Sequence, residues 1–132
     1  MSKAIYDLTC CGINIGNQSP LLKGINDDVD TFRALHQRLV QIRVRPYYIF
    51  WCEPIPGAAH FQTSVEKGAE LIRDALQGHT SGLCRPHYVV GSNIGKIPIT
   101  PDYYFAGKDD ETYSLRNYKD QVTHINIINI HE

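Results

Sequence analysis

Apolar residues recur along the first ninety positions with a period that switches between that of a helix and that of a strand. Residues 3 to 11 have helical character and stop at Gly12, a natural helix terminator. INIGNQ (13 to 18) alternates as a strand does, and SPLLKGIND after it is rich in turn formers. Val29, Phe32, Leu35, Leu39 and Ile42 then recur at helical spacing behind Asp27 or Asp28, either of which can cap the helix. His36 has no local partner, which assigns it to the surface of that helix. VRPYYIFWC (44 to 52) is a nearly continuous apolar and aromatic run, the pattern of a parallel strand covered on both faces. Thr63 and Glu66 form a capping box for a helix through Leu76 that ends at Gly78. CRPHYVV (84 to 90) reads as a third strand.

The resulting order, helix and strand in strict alternation, is that of an α/β protein with crossover connections and a parallel sheet of about three strands. Beyond Lys96 the texture changes. IPIT, DYYFA, ETYSLRNY and QVTHINIINI are short β-type segments separated by turns, with no room for helices. They predict a small antiparallel meander, in which the β-prone INIINI packs or pairs. Residues 1–92 therefore form the α/β part, and residues 93–132 the lysine loop with the meander.

Composition narrows the class. With 132 residues, 42% of them hydrophobic, the chain is long enough for a modest core and too apolar for disorder. A formal net charge of -1 offers no basic excess for nucleic acid or an anionic membrane. No apolar run approaches a spanning length, and MSKAIYDL lacks a signal-peptide core, so a cytoplasmic address is expected. The cysteines Cys10, Cys11, Cys52 and Cys84 show no metal-ligand spacing, and the expectation is reduced, buried thiols and no metal site.

In parallel sheets of this kind, ligands bind at the carboxyl ends of the strands. Those ends carry Asn17 and Gln18 after the first strand, Glu53 after the second, and the loop to Lys96 after the third. Amides, a carboxylate and a lysine at one rim suit a small-molecule site. Polar residues also occur wherever strands become loops. Lys96 itself, beside Gly95, reads equally as an amine held over a pocket or as a solvated charge at a strand end.

Taken together, GNQSPLLKGIND, RVRPYYIFWCE, GAAHFQT, QGHTSGLCRPHYVV, GKIPITPDYY and YSLRNY resemble the C-terminal part of the lysine 2,3-aminomutase family, from about residue 12 to 118. RPYYIF, HF-x-T and GHTSG are its most specific segments. These are radical S-adenosylmethionine isomerases that depend on pyridoxal phosphate and are built on a six-fold (β/α) partial barrel. The resemblance implies that the α/β part is a barrel fragment holding the last strands and helices. It implies that Lys96 carries the pyridoxal phosphate and that Glu53 stands where an aspartate grips the substrate's distal ammonium. It also places Asn17 and Gln18 in a segment facing the cofactor cavity.

Three departures matter. Gly91 stands where the family has a second substrate-binding aspartate, and Glu53 is longer than its counterpart, so lysine itself is not assured as the substrate. No cation replaces either carboxylate, which disfavours glutamate. The CxxxCxxC motif for the [4Fe-4S] cluster and the arginines that hold the cofactor phosphate lie upstream of the residues present. The zinc-binding cysteines of some members are missing, with Asp28 at the position of one. The expectation is a C-terminal fragment of an enzyme catalysing a 1,2-amino shift on an α-amino acid, inactive alone, with S-adenosylmethionine and the cluster bound only by a full-length parent. The alternative is a non-catalytic half-barrel module for assembly or regulation. A homo-oligomer is expected in either case, because a cut sheet leaves unpaired edges.

Overall fold

The structure, a computed structural model, describes residues 3–53, 55–99, 105–109, 112–116 and 119–126. It divides into two compact units, residues 1–100 and 101–132. The first opens with helix α1 (Lys3–Cys10), which ends at Gly12 with a φ of 76°. Strand β1 (Ile15–Leu21) leads through a loop to helix α2 (Val29–Gln41) and strand β2 (Val44–Trp51). Helix α3 (Val65–Leu71) runs on into a π-helical turn (Ile72–Leu76), followed by strands β3 (His87–Ser92) and β4 (Gly95–Pro98). The second unit is a sheet of β5 (Phe105–Lys108), β6 (Thr112–Arg116) and β7 (Val122–Asn126), antiparallel throughout.

The first sheet has the order β1-β2-β3-β4, with β1, β2 and β3 parallel and β4 antiparallel to β3. The fold is thus mixed α/β with a separate antiparallel sheet. The extent of the strands differs from the sequence expectation at two places. Ile97 and Pro98, expected in the meander, are drawn into the first sheet, because Gly95 with a φ of 115° lets the chain reverse at once after Ser92. The strand starting at INIGNQ continues to Leu21, which is fully buried. Its following loop is pinned by Asn26, which donates to the Pro20 carbonyl at 3.0 Å and accepts from the Leu22 amide at 2.7 Å. INIINI extends beyond residue 126, outside the described residues.

The core lies on one side of the first sheet, where Leu21, Phe32, Ile49, Leu71, Ala75, Leu76 and Tyr88 pack together. Asp28 caps α2, accepting from the Thr31 amide at 2.9 Å, and hydrogen bonding with Thr31, through its side chain first and its backbone second, holds the carboxyl below the usual range. The capping box expected for α3 does not form. Its N-cap is Ser64, with no side-chain bond, while the Thr63 hydroxyl is buried without a partner among the described residues. Instead the Thr63 carbonyl accepts from the Trp51 indole at 2.9 Å, which ties this entry to β2. At the other end, Arg33 reaches from α2 to donate to the carbonyls of Ala75 and Asp74 in the π-helical turn. Gly78 follows with a φ of 70°.

His36 corrects the surface reading: it is fully buried, packed against the Phe32 ring at a centroid distance of 4.2 Å. It sits four residues beyond Phe32 on the same helix face, and the carbonyl of that residue satisfies one ring nitrogen. β2 is corrected as well. Val44, Pro46 and Ile49 are buried against the helices, but Arg45 and Tyr47 are exposed and Tyr48 and Phe50 only half-covered. One face of the sheet is therefore open. Cys10 and Cys11 are exposed, against the expectation of burial; Cys52 and Cys84 are buried, and all four are free thiols.

Candidate functional site

The open face is built from alternate residues of four strands. On β1 the exposed positions Gly16, Gln18 and Pro20 point one way, while Ile15, Asn17, Ser19 and Leu21 point towards the helices. Pairing carries this face across the sheet, since Gln18 lies beside Tyr48, Tyr48 beside His87, and Phe50 beside Val89. Between Asn17 and Gln18 the register shifts by one, so that Tyr47 is an extra residue in β2. The bulge crowds two tyrosines onto one face, with ring centroids 4.0 Å apart. His87 meets Tyr47 edge-on at 6.4 Å and Tyr48 at 6.0 Å, and Phe50 lies 5.7 Å from Tyr48. These rings form an aromatic shelf.

Lys96 rests on that shelf. Its backbone pairs with Gly91 near the carboxyl end of β3, yet its side chain extends back across the sheet. Nζ comes to 4.9 Å from the Tyr48 ring centre and 5.1 Å from that of Phe50. Both contacts are within cation–π range. The amine, with Tyr47, Tyr48, His87, Val89 and Pro98, lines a cavity of about 230 Å³. A hydrogen bond with Tyr47 is the main cause that raises the Tyr48 phenol above its ordinary range, and burial adds to it.

Glu53 follows β2 and shares this face. A Cβ built on Gly91 would run into the Glu53 carboxylate, with Oε1 nearest and Cδ at 3.2 Å. Because directly paired residues in an antiparallel ladder project to the same side, the Glu53 carboxylate and the Lys96 side chain lie on one side of the sheet. Among the described residues no ion pair joins them. Gln18 is on that side too, several residues further down the strands. Asn17 is not. It faces the helices and accepts a hydrogen bond from the Ser19 hydroxyl at 3.1 Å. The four candidates therefore divide, with Lys96, Glu53 and Gln18 on one face and Asn17 on the other.

The turn before Lys96 is self-contained. The Ser92 hydroxyl donates to the Gly95 carbonyl at 2.8 Å and accepts from the Ile94 amide at 3.3 Å. A larger cavity of about 500 Å³ lies at the opposite, amino end of the strands, lined by Asn14, Arg43, Arg45 and Tyr47 among others. It holds no lysine or carboxylate. No group of three or more His, Cys, Asp or Glu is placed to hold a metal ion among the described residues. Nor is any helix there long and apolar enough to cross a membrane.

Sequence reasoning missed the shelf beneath Lys96. Period-two alternation from Phe50 points to Tyr48 and, across the ladder, to His87, but the bulge that adds Tyr47 has no sequence signal of its own.

Comparison with known proteins bears on the family of the chain. Residues 73–126 match the family model described as Lysine-2,3-aminomutase. The chain is 46% identical over 92% of its length to the L-lysine 2,3-aminomutase of Methanococcus maripaludis, of which it covers 28%. It is 44% identical over 92% of its length to that of Clostridium subterminale, covering 29% of that protein. Against the glutamate 2,3-aminomutase of Clostridioides difficile the identity is 40% over 91% of the chain and 28% of the relative. The chain thus spans a little over a quarter of the length of these relatives.

Proposed function

Since the chain belongs to the lysine 2,3-aminomutase family, as a C-terminal portion of it, we propose that Lys96 holds pyridoxal phosphate and that Glu53 orients the amino-acid substrate of a 1,2-amino shift. The observation that carries this reading is the Lys96 amine laid over Tyr48 and Phe50, on the side of the sheet where the Glu53 carboxylate sits against Gly91.

The residues present fit one end of the cofactor. Lys96 is exposed and its amine opens into a cavity whose flat aromatic walls suit a planar ring. They fit the phosphate end poorly, since the Ser92 hydroxyl is already used within its own turn. When bound, the cofactor supplies a conjugated ring that delocalises an unpaired electron. Lys96 supplies the amine that anchors it by nucleophilic attack on a carbonyl. Glu53 presents a negative charge to the distal end of an α-amino acid, which disfavours a substrate ending in a carboxylate. Gln18 offers an amide to the same face. S-adenosylmethionine and the iron–sulfur cluster belong to the full-length parent, and this chain alone is inactive in the proposal. β1, β2 and β3 are then the last parallel strands of a partial (β/α) barrel. The rival reading, a half-barrel module for assembly or regulation, draws on the outer edge of β1, which no described strand pairs.

Treating the chain with pyridoxal phosphate and a hydride reductant, then mapping peptides by mass, tests the assignment. The proposal expects weak binding with modification concentrated at Lys96, and its loss in Lys96→Ala. Uniform labelling of all lysines, or tight binding untouched by Lys96→Ala, overturns it.

A further inference from the structure

The cavity of about 500 Å³ at the amino end of the strands is lined by two arginines and by no acidic residue. Both Arg43 and Arg45 are exposed, and neither guanidinium has an ion pair or a hydrogen bond among the described residues. The turn from α2 into β2 brings them there. Arg43 follows the helix cap with a φ of 62°, a left-handed conformation that glycine usually fills at this place, and Arg45 stands two residues on in β2. Opposite Arg45 in the ladder is Gly16, where a Cβ would lie 3.3 Å from the Tyr47 Cβ. The absence of that carbon leaves the Tyr47 ring as a bare wall, with the exposed Ile13 and the Asn14 amide also at the cavity. Tyr47 lines the Lys96 cavity as well, so the two spaces share one ring.

We propose that this cavity binds a phosphate monoester, with the phosphate held by Arg43 and Arg45 and a flat organic group laid on Tyr47. Two guanidinium charges with no counter-charge at the site match a dianion, and their planar forks match its several terminal oxygens. A lone carboxylate needs one such fork and leaves the second unpaired. The cavity has room for more than the phosphate, since small-molecule sites begin at about 300 Å³. Its aromatic wall gives the rest of the ligand an apolar surface, and Asn14 adds an amide. The site is separate from the Lys96 amine and does not depend on whether that residue carries pyridoxal phosphate.

The test titrates the chain with phenyl phosphate, inorganic phosphate and benzoate by calorimetry, at low salt and a pH where the phosphates are dianions. Phenyl phosphate is expected to bind with a dissociation constant below about 1 mM, and at least about threefold more tightly than either of the others. Arg45→Gln and Arg43→Asn, the latter suited to the left-handed backbone, each weaken it about tenfold, as loss of a charge-assisted hydrogen bond does. Arg38→Gln removes an equal charge from the surface of α2, outside the cavity, and changes the affinity by less than about twofold. Tyr47→Ala brings phenyl phosphate down to the affinity of inorganic phosphate. Lys96→Ala leaves the whole series as it was. The proposal is overturned if phenyl phosphate fails to bind at millimolar concentration or binds no better than benzoate. It is equally overturned if Arg38→Gln costs as much as the cavity arginines, which would mean diffuse charge, or if Lys96→Ala abolishes binding, which would put the phosphate at the aromatic shelf. Failure of pyridoxal phosphate to label Lys96, with this series as expected, rejects the cofactor reading alone.

Discussion

The ammonium of Lys96 lies 4.9 Å from the centre of the Tyr48 ring, although their strands are separated by β3. The lysine, although exposed, lies along an aromatic face, a contact worth about 0.5–1 kcal/mol at such a site. Its stem covers Val89, which is almost fully buried on this otherwise open side. Tyr48→Leu is expected to release the side chain. The ring-current shift of the Lys96 ε-methylene protons disappears in that variant and persists in Tyr48→Phe. An ε-methylene resonance that does not move in Tyr48→Leu would show that the lysine is not held there in solution.

A second consequence concerns Gly68 on α3, whose absent Cβ makes room for the ring of Tyr88. The ring is 2% exposed and packed in the core, and burial, with a smaller contribution from Glu66, pushes its phenol up to about 12. Unlike the glutamate over Gly91, it has nowhere to go. Gly68→Ala should cost about 1–3 kcal/mol, the usual penalty of overpacking, measured by urea unfolding. Gly91→Ala should change the same midpoint by less than about 0.5 kcal/mol. Equal losses from the two substitutions would contradict this distinction between a locked neighbour and a mobile one.

Much of this architecture is written locally. Gly12 and Gly78 end their helices with positive φ, Asp28 caps α2, and the apolar run at 44 to 52 becomes β2. What the sequence hides is set by tertiary contact. The spacing of four from Phe32 puts His36 on the apolar face of α2, but an imidazole there can equally lie at the border of that face, and only packing shows that it is buried. The Thr63–Glu66 pair satisfies the capping-box pattern, yet Thr63 is claimed by Trp51 across the chain. At the candidate site, Lys96, Glu53 and Gln18 stand out as polar residues at strand exits. That Asn17 points the other way follows from strand alternation alone, which a segment-level resemblance does not register.

His36 makes stability depend on pH. Its Nδ1 lies 2.7 Å from the Phe32 carbonyl, which can only accept, so Nδ1 carries the proton and Nε2 is the bare, buried nitrogen without a partner among the described residues. Burial lowers its pKa below the ordinary value of 6.5, outweighing the Phe32 hydrogen bond, which raises it. The folded state thus binds this proton less readily than the unfolded one. The contribution is fully present above about pH 6.5 and is lost as pH falls through the folded value. Urea midpoints should drop between pH 7.5 and 5.5, and His36→Phe should flatten that slope. A slope unchanged in the variant would assign the acid sensitivity elsewhere.

The last prediction concerns association. β1 pairs only with β2 among the described residues, so its outer edge presents free backbone donors and acceptors, interrupted by Pro20 alone. The open face beside it carries the exposed Tyr47 and the half-covered rings of Tyr48 and Phe50. An unpaired edge next to an apolar shelf recruits a second strand, and a two-fold pairing of identical chains satisfies both edges at once. The chain is therefore expected to dimerise at micromolar concentration, as read by sedimentation equilibrium. Tyr47→Lys, which sets a charge on that face without touching the helix-packed core, should weaken the dimer at least about tenfold, the effect of roughly 1.4 kcal/mol. A monomer persisting well above micromolar concentration, or a dimer indifferent to Tyr47→Lys, would place the association surface elsewhere or deny it altogether.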